Sequence, residues 1–170
     1  MRSQDGEFLE TVRLRPITPA DDAAMAELVR SNLRQFGLDI PGTAYFDPEL
    51  EMLSRFYAQR AGKRAYFVAV YSAQKVLGGV GMAEFENLAD CAEMQKLYLC
   101  DEAKGRGLGL RLARHIEQCA REAGYRWLYL ETHTKLQAAC GLYEKLGFSR
   151  IDPPVAAKHG TMNRFYLKEL

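Results

Sequence analysis

The sequence predicts an α/β fold of the α+β kind, a mixed central sheet with helices on both faces. Three observations carry that expectation. The chain has 170 residues, 48% hydrophobic and 26% charged, which suits one globular domain spanning residues 1–170. Strand-like apolar runs alternate with amphipathic helical patterns along its length. In the middle, an apolar strand at 92–99 meets a polar bend, a glycine-rich turn and a helix start, and that order builds an anion site.

The elements follow in chain order. Residues 11–16 read as a short strand with Val12 and Leu14 on one face. Thr18-Pro19-Ala20-Asp21 supplies an N-cap, a proline at the first helical position and an acid three residues on. The helix it opens carries Met25, Leu28, Val29 and Leu33 on one stripe. Gly37, Pro41 and Gly42 mark a loop. Asp47-Pro48 looks like the start of a second helix, with Leu50, Leu53, Phe56 and Tyr57 inward. A strand at 65–71, apolar on both faces, should pair as a hairpin with 76–85, where glycines 78, 79 and 81 signal a bulge or a close backbone approach. In the 92–99 strand, alternation puts Glu93, Gln95, Leu97 and Leu99 on one face, opposite Met94 and Tyr98.

A helix over 108–123 directs Leu108, Leu112, Ile116, Cys119 and Ala120 inward and Arg111, Arg114, Glu117, Gln118 and Arg121 outward, with Gly124 as its C-cap. A strand at 127–131 follows, parallel to 92–99 because a helix connects them. A helix over 136–146 stops at Gly147. A strand from Phe148 to Ile151, a loop with Pro153, Pro154, His159 and Gly160, and a strand at 164–167 close the sheet.

Composition excludes several classes. The net charge is +1, so no global field favours nucleic acid. No stretch approaches the roughly 20 apolar residues of a membrane span, and residues 1–10 lack a signal-peptide core, so a cytoplasmic location is expected. The four cysteines, at 91, 100, 119 and 140, form no C-x-x-C pair and no ligand spacing with the three histidines. Free buried thiols and no metal are the expectation.

The chemistry lies in Lys104-Gly105-Arg106-Gly107-Leu108-Gly109. Glycines let the backbone approach a ligand, first-turn N–H groups lack helical partners, and the two cations add charge, so a diphosphate is expected there. No P-loop run exists in the chain. A dinucleotide fingerprint would put its last glycine elsewhere and turn more tightly, though Glu131 at the end of the next strand could act as a ribose-binding acid. That reading stays open as an alternative.

The run 104–109 resembles the coenzyme A signature of the GNAT N-acetyltransferase superfamily, Gln/Arg-x-x-Gly-x-Gly/Ala, with Lys104 at the first position. Residues 139–148, Ala-Cys-Gly-Leu-Tyr-Glu-Lys-Leu-Gly-Phe, are similar to the family's other recurrent segment and stand one helix and one strand downstream, as the family order requires. The resemblance spans nearly the whole chain and is weakest at 37–62 and 152–163. Relatives often carry an Asn soon after the fifth main strand, where Lys135 and Leu136 stand here.

What the resemblance implies is a GNAT fold, its mixed central sheet partly splayed, that uses acetyl-CoA as co-substrate and moves its acetyl group directly to a primary amine in a ternary complex. The backbone of Leu97, Tyr98 and Leu99 would hold pantetheine and the acetyl carbonyl. Lys104, Gly105, Arg106, Gly107, Leu108, Gly109 and Leu110 would hold the pyrophosphate. Tyr143 would be general acid to the departing thiolate, against the plainer reading of a core tyrosine. Glu93, eleven residues before Lys104, would be general base, against that of a solvated strand-end acid. Tyr45, Thr132 and His133 are candidate acceptor contacts. The acceptor is a small-molecule amine or a protein amine, and a homodimer is left open. A domain that binds acyl-CoA without catalysis, as a sensor or interaction module, is the alternative function.

Overall fold

The computed structural model describes residues 4–72, 74–154 and 160–170. Its elements are α1 (Gln4–Thr11), β1 (Arg13–Pro16), α2 (Asp22–Gln35), α3 (Leu53–Ala58), β2 (Ala65–Tyr71), β3 (Lys75–Glu84), β4 (Cys91–Leu99), α4 (Leu108–Glu122), β5 (Trp127–Thr132), α5 (Gln137–Lys145), β6 (Ser149–Ile151) and β7 (Arg164–Glu169). The seven strands form one sheet in the order β1-β2-β3-β4-β5-β7-β6. Among the described strands only β4 and β5 pair in parallel, as their helical connection requires.

The sheet is buried on both faces. On one side the stripe Leu108, Leu112, Ile116 and Ala120 of α4, each fully buried, packs on Met94, Leu128 and Leu130, with Tyr143 and Leu146 of α5 beside them. Burying one large aliphatic side chain stabilises by about 1.5–3 kcal/mol, so this stripe is what docks α4. On the other side Met25, Val29 and Leu33 of α2 and Leu53 and Tyr57 of α3 cover Tyr66, Val68 and Val70. The start signal at Thr18 holds. The Thr18 N–H donates to the Asp21 carboxylate at 2.8 Å, and Arg15 clamps both oxygens at 2.7 and 2.9 Å. The Arg15 guanidinium keeps the Asp21 carboxyl below its usual pKa.

Several expectations need correction. Helix α1 was not expected, since its residues form no apolar stripe and none is buried. Contacts made far along the chain hold it. The Arg106 guanidinium sits 3.6 Å above the Phe8 ring, and Arg111 donates to the carbonyls of Leu9 and Val12 at 2.7 and 2.9 Å. The helix expected from Asp47 shrinks to a 3-10 turn at Leu50–Met52 followed by α3. Met52 breaks the run, with φ −145° and ψ 43°. Glu117, expected in solvent, is 5% exposed because Lys168 of β7 reaches over it and donates at 2.6 Å. All four cysteines are free as expected, but only Cys91 is buried; Cys119 and Cys140 are half-buried. A further correction, the facing of β4, belongs to the site. His159 lies outside the described residues.

Candidate active site

The parallel pairing of β4 and β5 covers Cys91–Trp127, Ala92–Leu128 and Glu93–Tyr129, and ends there. From Met94 onward β4 continues to Leu99 along β3 alone, while β5 continues to Thr132 along β7. The sheet therefore splays, and beyond Glu93 the β5-facing backbone groups of β4 meet no strand among the described residues. Backbone polar groups seek partners, so such an opening suits a ligand with amides of its own. Glu93 stands on the last closed rung.

The facing of β4 departs from strict alternation. Between Gly79 and Gly81 of β3 the register shifts by one residue, and Lys96 has φ +49°. One extra residue in the strand is a β-bulge, which re-aims everything after it. Leu97 and Leu99 consequently pack with α4, while Tyr98 lies on the α2–α3 side. Glu93 and Tyr98 share a face after all, and Leu97 and Leu99 take the other.

The bulge has visible supports. The Tyr66 ring crosses β3 where a side chain at Gly79 or Gly81 would meet it at 2.6 or 2.5 Å. Its hydroxyl then donates to the Lys96 carbonyl at 2.8 Å. These glycines are the close approach that the β3 sequence signalled. The Lys96 ammonium lies 2.6 Å from Asp47 and 3.2 Å from Glu49. Burial opposes its charge, but the two carboxylates outweigh that and hold its pKa above the usual lysine value.

Glu93 is 4% exposed rather than solvated. Gln95 Nε2 donates to Glu93 Oε2 at 2.7 Å, and the Tyr57 hydroxyl donates to Gln95 Oε1 at the same distance. That chain fixes the carboxylate's orientation. Burial, with Glu93 second, drives the Tyr57 pKa well up, so this hydroxyl stays a donor.

The glycine loop begins after a 3-10 turn at Asp101–Ala103. Gly105 and Gly107 adopt φ +72° and +82°, in the left-handed region where side chains are disfavoured. Gly107 is the N-cap of α4, and the first helical bond runs from the Arg111 N–H to its carbonyl. The N–H groups of Leu108, Gly109 and Leu110 thus have no acceptor within the helix. Lys104 binds Asp101 at 2.6 Å and Arg106 binds Asp5 at 3.3 Å, so the backbone is the loop's readiest anion ligand. The intervening 3-10 turn removes the tight strand-to-helix turn that the dinucleotide reading needs, and Glu131 accepts a hydrogen bond from Tyr129 at 3.0 Å.

On α5, Tyr143 is buried against Phe148 and Tyr166, with ring centroids 5.9 and 6.0 Å away. Burial, then the nearby Tyr98, raises its pKa, so its hydroxyl keeps its proton. Leu99 is partly committed, since Asn32 donates to its carbonyl at 2.9 Å. Thr132 is the buried last residue of β5, paired with Arg164, instead of lying just past the strand end. The His133 ring accepts from the Lys135 N–H at 3.1 Å and lies 3.4 Å from the Asn163 amide, shaping that corner. Tyr45 lies under the guanidinium groups of Arg30 and Arg34, 5.8 and 6.0 Å from its centroid.

The family model described as Acetyltransferase (GNAT) family matches residues 25–148. The chain belongs to the GNAT acetyltransferase family. It is 37% identical over 141 residues to the Escherichia coli (strain K12) protein named Uncharacterized N-acetyltransferase YjgM, covering 82% of this chain and 83% of that one. A GNAT-family acetyltransferase of Staphylococcus aureus Mu50 superposes with TM-score 0.82 at 19% identity, over 93% and 98% of the two chains. A phosphinothricin acetyltransferase of the same superfamily from Sinorhizobium meliloti, solved with AcCoA, has TM-score 0.72 at 25% identity over 94% and 89%.

Within this GNAT site, reading the sequence missed the polar roles of Asn32, Tyr57, Gln95 and Lys96 and the carboxylate of Glu49. One signal was on the page. Gln95-Lys96 is a polar pair in mid-strand, which a strand covered on both faces does not tolerate without partners.

Proposed function

We propose that this protein transfers an acetyl group from acetyl-CoA directly to a primary amine within a ternary complex. The observation that carries the reading is the β4–β5 opening, which starts at the rung holding Glu93 and lies beside the unpaired amides that begin α4. The acetyl-CoA complex of the Sinorhizobium meliloti relative supports the choice of donor.

The residues have distinct roles in this reading. Gly105 to Leu110 bind the pyrophosphate through backbone N–H groups and the helix dipole. The free edge of β4 at Leu97 and Tyr98 takes the pantetheine amides and polarises the thioester carbonyl. An alkyl amine of pKa about 10 is protonated at neutral pH, so Glu93, directly or through a water, accepts its proton. The amine nitrogen attacks the carbonyl carbon and the carbon–sulfur bond breaks. Tyr143 donates to the departing thiolate, whose conjugate thiol has a pKa of about 8.5. Tyr45 and His133 border the acceptor side.

The reading is tested by thiol release from acetyl-CoA over a panel of primary amines, with the N-acetylated product identified by mass. Amine-dependent release is expected. Tight acetyl-CoA binding without turnover on any amine would favour a non-catalytic acyl-CoA sensor instead.

A further inference from the structure

We propose that Lys96 is a positioning residue for the amine: its buried ammonium clamps the 44–50 segment to the bulge of β4, so that acceptor wall and coenzyme strand form one unit. This deepens the amine-acetyltransferase reading and rests on it.

Three observations meet at this residue. Its side chain is 2% exposed, and its ammonium lies between Asp47 and Glu49, themselves only 11% and 12% exposed. Its backbone occupies the left-handed region at φ +49°, which disfavours any residue with a Cβ. It directly follows Gln95, the residue that orients Glu93. A structural bulge alone would be served at lower cost by glycine, and a buried face by an apolar side chain. Two unfavourable choices at one position, three residues from the proposed base, point to a requirement of function.

The geometry states what that requirement is. Asp47 ends the 3-10 turn of Ala44–Phe46 that carries Tyr45, and Glu49 precedes the turn at Leu50–Met52. Both belong to the connection between α2 and α3. Lys96 ties that connection to the strand whose free edge is assigned to the thioester. The bulge itself keeps a second support, the Tyr66 hydroxyl on the Lys96 carbonyl. Loss of the ammonium should therefore release the acceptor wall and leave the coenzyme edge in place.

The test uses hydrogen exchange over residues 44–52, the amine KM and kcat, and acetyl-CoA binding. Lys96→Met alone leaves two buried carboxylates uncompensated and risks misfolding. The decisive variant is therefore the triple Lys96→Met, Asp47→Asn, Glu49→Gln, which buries no new charge. Exchange over 44–52 and the amine KM should each rise at least about tenfold, with kcat and acetyl-CoA affinity within about threefold of the parent. Lys96→Arg, which keeps the charge, should recover most of the amine KM. Parent-like exchange and KM in the folded triple variant would overturn the proposal, as would an equal loss of acetyl-CoA affinity. If the parent acetylates no amine, the functional reading fails on that result alone, and exchange over 44–52 still decides the clamp.

Discussion

At the scale of single residues, the two proposed proton carriers are held in different ways. Glu93 is gripped by a hydrogen-bond chain through Gln95 to Tyr57, whereas Tyr143 is held by ring packing. Replacing Glu93 by Gln keeps shape and removes the basic group. It should depress kcat/KM and abolish the limb of the pH–rate profile that rises as the base ionises; a variant with the parent's full profile would point to another base. Tyr143→Phe keeps the packing and removes the hydroxyl. It should lower kcat by roughly ten- to a thousandfold while acetyl-CoA binding stays, and an unchanged kcat with chemistry rate-limiting would return Tyr143 to the core.

Among the elements, α4 and the turn before it were legible because two local signals agree there, the glycines and the 3.6-residue stripe ending at Gly124. Gly107 sits at φ +82°, with Leu9 3.4 Å from where its Cβ would be. Gly107→Val should abolish the thermal stabilisation that acetyl-CoA confers on the parent by mass action, and a variant stabilised as the parent is would show the loop to be misassigned. Strand β4 was legible in position and wrong in facing. A bulge adds one residue without changing composition, and what supports this one lies on β2 and the α2–α3 connection, far off in sequence. Helix α1 was illegible for a related reason, since side chains of residues 106 and 111 hold it. The site followed the same division. The glycine loop could be read from the chain, while the polar cluster around Glu93 exists only once β4, α3 and the α2–α3 connection converge.

For the molecule as a whole, the sheet order places the β4–β5 opening, with Glu93 on its last closed rung, in the interior of the sheet. Outside it, Arg64 joins the start of β2 to Glu84 at the end of β3, with Nε 2.9 Å from Oε2. That guanidinium brings the Glu84 pKa from the usual 4.5 to about 2. A carboxyl depressed on folding stabilises the fold above its unfolded pKa, and that contribution is lost as pH falls through the folded value. Between pH 4.5 and 2 the parent should therefore lose roughly 1–3 kcal/mol that Glu84→Gln does not lose. Parallel acid-unfolding curves would contradict this. Direct transfer across the β4–β5 opening is the central claim, and initial-rate kinetics with acetyl-CoA and amine both varied test it most directly. Double-reciprocal lines that intersect, with no acetylated protein trapped in the absence of amine, are the predicted result; parallel lines together with a trapped acetyl-enzyme would contradict it.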